Sequence, residues 1–167
     1  MVIKYFLELL KSYKFSIIKV IIFELFYILR GYKGNSFSVT KNIKINNNIP
    51  CPYFLLHKIN NFIKKRNIKS FIDLGCGSGR SIYFFNKKYK IHYFGIEYID
   101  ETYKKCKKMF INDNNVQIIN ENFMNFNFLG IEADCFFIND PLKDRNELNK
   151  LINEIFKKNE ILKKKFT

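Results

Sequence analysis

From Phe71 onward, short runs rich in β-branched and aromatic residues alternate with stretches of helical periodicity. Phe71–Leu74, Ile91–Ile96, Val116–Ile119 and Cys135–Ile138 read as strands. Arg80–Lys88, Glu101–Phe110 and Asn146–Lys165 read as helices, the last one long and amphipathic. Two strands joined through a helix run parallel, because a tight hairpin is not available to them. The alternation therefore predicts an α/β fold with a Rossmann-like parallel sheet flanked by helices. The expected strand order is 3-2-1-4.

In such sheets ligands gather beyond the carboxyl ends of the strands, where the strand order reverses. The first strand ends there in Asp73-Leu74-Gly75-Cys76-Gly77-Ser78-Gly79. Alternate glycines let the chain turn tightly and bring bare backbone to a ligand, and the N–H groups opening the next helix face the same place. A dinucleotide fingerprint reads GxGxxG. This one reads GxGxG, with Asp73 two positions before the first glycine. A carboxylate there repels a pyrophosphate and favours a cation. S-adenosylmethionine carries an ammonium and a sulfonium and no phosphate, so it matches the charge. The second strand ends in Glu97, 22 residues beyond Gly75. That spacing is close to the one expected for an acid that accepts hydrogen bonds from ribose hydroxyls.

"FIDLGCGSGR" together with "YFGIE" resembles motifs I and II of the class I S-adenosylmethionine-dependent methyltransferases. The likeness covers about residues 50–157 and is most specific over 70–98. It implies that Asp73, Gly75 and Gly77 hold the methionine end, with Cys76 and Gly79 completing the cofactor turn. Glu97 takes the ribose, and Tyr98 lies beside the adenine. The family's third motif commonly ends in Asp; here Asn122 stands at that position, able to accept from the adenine amine through its carbonyl. Phe123 reads equally as an adenine neighbour or as a core residue.

The fourth motif, "ADCFFINDPLKD", places Asn139, Asp140 and Pro141 after the fourth strand. In the family this turn faces the sulfonium and the incoming nucleophile. Asn139 is expected to touch both cofactor and acceptor, and Asp140 is a candidate base. The turn is similar to that of a subgroup including the telomeric-silencing type of lysine methyltransferase and its bacterial relatives. "PCPYFLLHKI" resembles that subgroup's approach to motif I. Nucleic-acid adenine methyltransferases carry a second proline and an aromatic here, which clamp a flipped base; Leu142 and Lys143 stand instead.

The resemblance implies a methyltransferase with a small-molecule, lipid or protein acceptor. An RNA or DNA methyltransferase and an inert cofactor-binding remnant are the alternatives. The family's sheet has seven strands, whereas this chain reaches Thr167 after the helix that follows the fourth. A sheet truncated before strands 5–7 is therefore expected, with an uncovered edge open to self-association.

Residues 1–34 read as an apolar helical extension, 35–49 as an Asn-rich linker with a short extended piece, and 50–167 as the methyltransferase domain. The extension carries Lys11, Lys14, Lys19 and Glu24 within its apolar run, which argues against a spanning helix. Two readings stand: helices packed on the domain, or an amphipathic helix over residues 5–29 lying on a membrane surface. Gly31 and Gly34 supply the stop. Pro50 and Pro52 open a further helix, in which Phe54, Leu55, Ile59, Phe62 and Ile63 form the expected apolar stripe. Lys64, Lys65 and Arg66 fall in its last turn, where cations suit the helix dipole.

The net charge is +14. That balance fits an anionic partner, or only the Lys-, Asn- and Ile-rich composition an AT-rich genome produces. Cys51, Cys76, Cys106 and Cys135 are widely spaced and form no CxxC pair. No disulfide framework or metal site is expected from them. They suit a reducing, cytoplasmic setting, membrane-peripheral under the second reading of the extension. His57 and His92 are isolated and carry no assignment.

Overall fold

A computed structural model describes residues 17–36, 46–127, 131 and 133–165, with side chains as far as Lys157. The expectations for residues 5–16, and for the extended piece around Val39, Ile43 and Ile45, lie outside the described residues.

The elements are α1 (Ile17–Leu29), α2 (Tyr53–Lys64), β1 (Ser70–Leu74), α3 (Arg80–Asn86), β2 (His92–Glu97), α4 (Asp100–Met109), β3 (Val116–Asn120), β4 (Cys135–Ile138) and α5 (Arg145–Lys165). The four strands form one sheet in the order β3-β2-β1-β4, every pair parallel. The order read from the sequence is the observed one. Element ends differ from the expected ones by a residue or two, as fraying helix ends do. The switch point lies between β1 and β4.

Alternation along the strands sends side chains to two cores. Phe71 and Tyr93 face one of them, with Leu56 from α2, Phe84 and Phe85 from α3 and Cys106 from α4. Ile72, Leu74 and Ile96 face the other, against Leu148, Leu151 and Ile155 of α5. Each fully buried aromatic or aliphatic side chain contributes about 1.5–3 kcal/mol of transfer free energy. Asp134 ties the start of β4 to the start of β1: its Oδ2 accepts from the Lys69 N–H at 2.7 Å and the Ser70 N–H at 3.1 Å.

α1 ends in a Schellman motif. The Gly31 N–H donates to the Ile28 carbonyl at 2.9 Å and the Tyr32 N–H to the Tyr27 carbonyl at 3.0 Å. The Tyr27 and Tyr32 rings meet edge to face, 4.8 Å apart. α1 buries Val20, Glu24 and Tyr27. Among the described residues no helix is long and apolar enough to cross a membrane.

The stripe expected on α2 is corrected. Tyr53, Leu56 and Ile63 are buried, whereas Phe62 is exposed. Two contacts at the helix start set the rotation. The Tyr53 N–H donates to Glu24 Oε1 at 2.7 Å, and the Tyr53 ring stacks on Tyr27 at 4.7 Å. Only Lys64 lies in the last turn; Lys65 is the cap and Arg66 lies beyond it.

Candidate active site

A cavity of about 500 Å³ opens at the carboxyl ends of β1, β2 and β4, the place a parallel sheet offers a ligand. Its floor is the turn from β1 into α3. Gly75, Gly77 and Gly79 all have positive φ, at 77°, 55° and 81°. The Gly75 and Cys76 N–H groups both donate to the Ile96 carbonyl, at 2.9 and 3.0 Å, which pins the turn to β2. Gly95 permits that approach, since a Cβ there would lie 2.9 Å from Cys76 Sγ.

Asp73 and Glu97 sit on adjacent strands and on the same face, because Asp73 pairs with Gly95, two residues before Glu97. Both carboxylates are buried and both line the cavity. Asp73 Oδ2 accepts from the Ser81 hydroxyl. Burial pushes the Asp73 carboxyl up to about 7; the Ser81 bond opposes the shift and the nearby Glu97 charge adds to it. Glu97 Oε2 accepts from the Gly77 N–H at 2.8 Å, and Oε1 from the Ile99 N–H at 2.8 Å. Burial also raises Glu97, against the pull of those backbone donors. A carboxylate has about four acceptor sites, so each oxygen keeps one for a further donor.

Tyr98 lies half-exposed at the rim. Asn122 Oδ1 accepts from the Met124 N–H at 3.0 Å, closing an Asx turn that presents Asn122 to the cavity. Phe123 belongs to the core against α5 and also lines the cavity. The Cys76 backbone is in the turn, but its thiol points at Cys106, sulfur to sulfur 4.0 Å. That contact and burial raise the Cys76 pKa well above its ordinary value. Cys51 also lines the cavity, its thiol pushed up to about 12 by burial. Neither is a nucleophile at neutral pH.

Two glycines of the turn lie behind the lining. Asn48 sits directly over Gly77, and a Cβ on Gly79 would strike Cys106 Sγ at 2.7 Å. Gly79 serves the packing of the turn on α4, and its left-handed φ would strain any other residue.

At the β4 end, Asn139 lines the cavity and its Nδ2 donates to the Ile49 carbonyl at 3.3 Å. Asp140 has φ 49°, the one positive φ among the described non-glycine residues. Its carboxylate is held by Arg145 Nη1 at 2.9 Å. The sequence reading brought forward Asn139 and Asp140 but missed what holds them. Asn46 donates from Nδ2 to the Asp140 and Leu142 carbonyls, both at 2.9 Å, and from its backbone N–H to the Pro141 carbonyl at 3.1 Å. Three consecutive carbonyls of the turn are thus clamped by one residue.

Glu24 and Arg80 were missed as well. Arg80 opens α3 immediately after the glycines. Its Nη1 lies 2.9 Å from Glu24 Oε2 with both side chains buried, and it also donates to the Cys51 carbonyl at 3.3 Å. The Tyr53 ring lies under the guanidinium at 4.5 Å. The signal was present: a lone acid inside an apolar helix requires a buried cation.

A model of the methyltransferase-domain family matches residues 71–159, more than half of the chain. The chain belongs to the methyltransferase-domain family. The matched span runs from β1 through most of α5 and includes Asp73, Glu97, Asn122 and Asn139. No curated protein matches this methyltransferase domain.

Several solved structures are similar to it. The methyltransferase domain of bacterial CtHen1 is 17% identical with a TM-score of 0.45, over 50% of this chain and 48% of that one. CalS10, a SAM-bound amino pentose methyltransferase from Micromonospora echinaspora, is 17% identical with a TM-score of 0.45, over 71% of this chain and 41% of that one. An S-adenosylmethionine-dependent methyltransferase from Clostridium acetobutylicum is 16% identical with a TM-score of 0.43, over 50% of this chain and 34% of that one. The methyltransferase domain described here spans about half, or less, of the length of these structures.

Proposed function

We propose that this methyltransferase domain binds S-adenosylmethionine and transfers its methyl group to an acceptor that is a small molecule, a lipid or a protein. The single observation that carries the reading is the pair of buried carboxylates, Asp73 and Glu97, on one wall of the cavity. Two buried acids on one wall repel one another, and a cationic nucleoside relieves that cost. A pyrophosphate increases it.

The donor set fits the cofactor. Glu97 keeps two acceptor positions for the ribose hydroxyls, and Asp73 offers its carboxylate to the ammonium. Tyr98, Asn122 and Phe123 line the same cavity and would flank the adenine. When bound, the sulfonium supplies an activated methyl and a neutral leaving group.

The chain's own residues then have a positioning task. A nucleophile must lie in line with the bond being broken, and orientation of that kind supplies a large part of such rate enhancements. Asn139 lines the cavity, and its Oδ1 would accept a hydrogen bond from an acceptor amine. Asp140 serves as base only after releasing Arg145. Within the family, the Asn139-Asp140-Pro141 turn supports the subgroup that includes the telomeric-silencing type of lysine methyltransferase.

Calorimetric titration with S-adenosylhomocysteine tests the cofactor half. Saturable heat with wild type, weakened in Glu97→Gln, supports it; no heat from a chain with intact circular dichroism overturns it. A labelled methyl group offered to extracts fractionated into small molecules, lipids and proteins identifies the acceptor class. Cofactor binding without transfer to any fraction identifies an inert binding remnant.

A further inference from the structure

α1 meets the core along one stripe only. Val20, Glu24 and Tyr27 face inward, and the opposite side leaves large apolar residues in water. Leu29 is 84% exposed, Ile18 68% and Ile22 58%, with Leu25 and Phe26 alongside them. At a spacing of three to four residues these form a second apolar stripe along the helix. Single exposed apolar residues need no explanation, but a contiguous row of them marks an interaction surface.

The charge around the row specifies the partner. Lys19, Arg30 and Lys33 lie on the exposed part of this segment, and the Arg30 guanidinium sits over the Phe26 ring at 4.1 Å. Between Ile17 and Lys69 the sequence contains one acidic residue, Glu24. That residue is buried against Arg80 and presents no negative charge to solvent. α2 continues the pattern, with Lys58, Lys64, Lys65 and Arg66 exposed and no acid on the helix.

We infer that the outer face of α1 docks on an anionic lipid surface. The helix lies in the interfacial plane, with Ile18, Ile22, Leu25, Phe26 and Leu29 in the acyl boundary. Lys19, Arg30 and Lys33 meet the headgroups. An apolar row flanked by cations, with the sole acid turned inward, is the composition such a surface selects. A nucleic-acid surface uses the cations but has no place for five aliphatic and aromatic side chains in a row. A second copy of this chain brings the same positive charge to the contact, which opposes pairing. The inference does not depend on methyl transfer.

Vesicle flotation of the full chain tests it. Vesicles of phosphatidylcholine with about 30% phosphatidylserine should carry the protein up the gradient, and raising the salt to about 0.5 M should weaken the capture. Pure phosphatidylcholine should carry little. The paired substitution Ile22→Glu, Leu29→Glu should reduce capture roughly tenfold or more. S-adenosylhomocysteine binding by calorimetry should be unchanged in that variant, which separates this test from that of the cofactor reading. Reversal of Lys19, Arg30 and Lys33 to Glu should abolish the preference for anionic vesicles.

Wild type that stays at the bottom of the gradient with anionic vesicles overturns the inference. So does a paired variant that floats as well as wild type. A dimer dissociated by the same substitutions, with no flotation, assigns the face to a second copy and overturns it too. Retention on RNA without retention on vesicles has the same effect.

Discussion

β1 and β4 lie side by side and in register, yet their surroundings differ. All five residues of β1 are buried, whereas all four of β4 are only half-buried. β1 has a strand on each side and an apolar core on each face. β4 pairs with β1 alone among the described residues. The difference divides the site by the kind of force that holds it. The wall that carries Asp73 rests on contiguous packing and on backbone N–H bonds to the Ile96 carbonyl and the Glu97 carboxylate. The turn after β4 rests on polar clamps from far along the chain, Asn46 on its carbonyls and Arg145 on Asp140. Packing is cooperative and hard to loosen locally; the two Asn46 side-chain hydrogen bonds are both lost when that one residue changes.

The comparison breaks most visibly at Arg80. Arg80→Met leaves Glu24 buried without its counter-charge, and urea unfolding should show a loss of about 3–5 kcal/mol. The pair Glu24→Leu, Arg80→Met should recover most of that loss. A single variant losing less than about 1 kcal/mol shows that the glycine turn is not anchored this way.

Glu97→Gln comes next. It should weaken S-adenosylhomocysteine binding by roughly 10- to 100-fold, the range for one hydrogen-bonded charge, in a chain that remains folded by circular dichroism. Asp73 then gives the comparison a pH axis. Its carboxyl is raised to about 7 by burial. The folded state therefore holds a proton that the unfolded chain has lost, and this group's contribution to stability falls as pH rises from about 4 through 7. Binding of a cation runs the other way. Ionised Asp73 attracts it, so affinity should rise about tenfold between about pH 6 and 8 and be flat in Asp73→Asn. A flat wild-type profile removes Asp73 from the cation site.

The β4 side should respond more mildly and more locally. Asn46→Ala should cost about 1–2 kcal/mol of stability, with faster hydrogen exchange at the amides of Asn139, Asp140 and Leu142 and none at 75–77. Equal acceleration at both turns means that the two halves are a single unit. Asp140→Gly should have the smallest effect, a change of less than about 1 kcal/mol in urea unfolding, because relief of left-handed strain is offset by loss of the exposed Arg145 ion pair.

What the sequence shows and what it conceals follow the same division. The sheet order, the glycine turn and the carboxylates at 73 and 97 were legible because their signals are local: strand-like runs between helical stretches, glycine at alternate positions, an acid at a strand end. The Arg80–Glu24 contact joins residues 56 apart, and Asn46 reaches Asp140 across 94. Contacts of that span leave no periodic trace. α2 is the intermediate case. Its helix was expected, but the inward face was misread because the Glu24 bond to Tyr53 turns the helix. Phe62 then stays outside beneath Arg66, whose guanidinium lies 3.4 Å from the ring centre.

One carboxylate, Glu24, serves the first N–H of α2 and the guanidinium that opens α3. Three helices therefore share one fastening. Sliding α1 by a single residue moves it about 1.5 Å along its axis, enough to unseat both bonds together. Any load borne by α1 is delivered through that carboxylate to Arg80, the residue that follows the glycine turn.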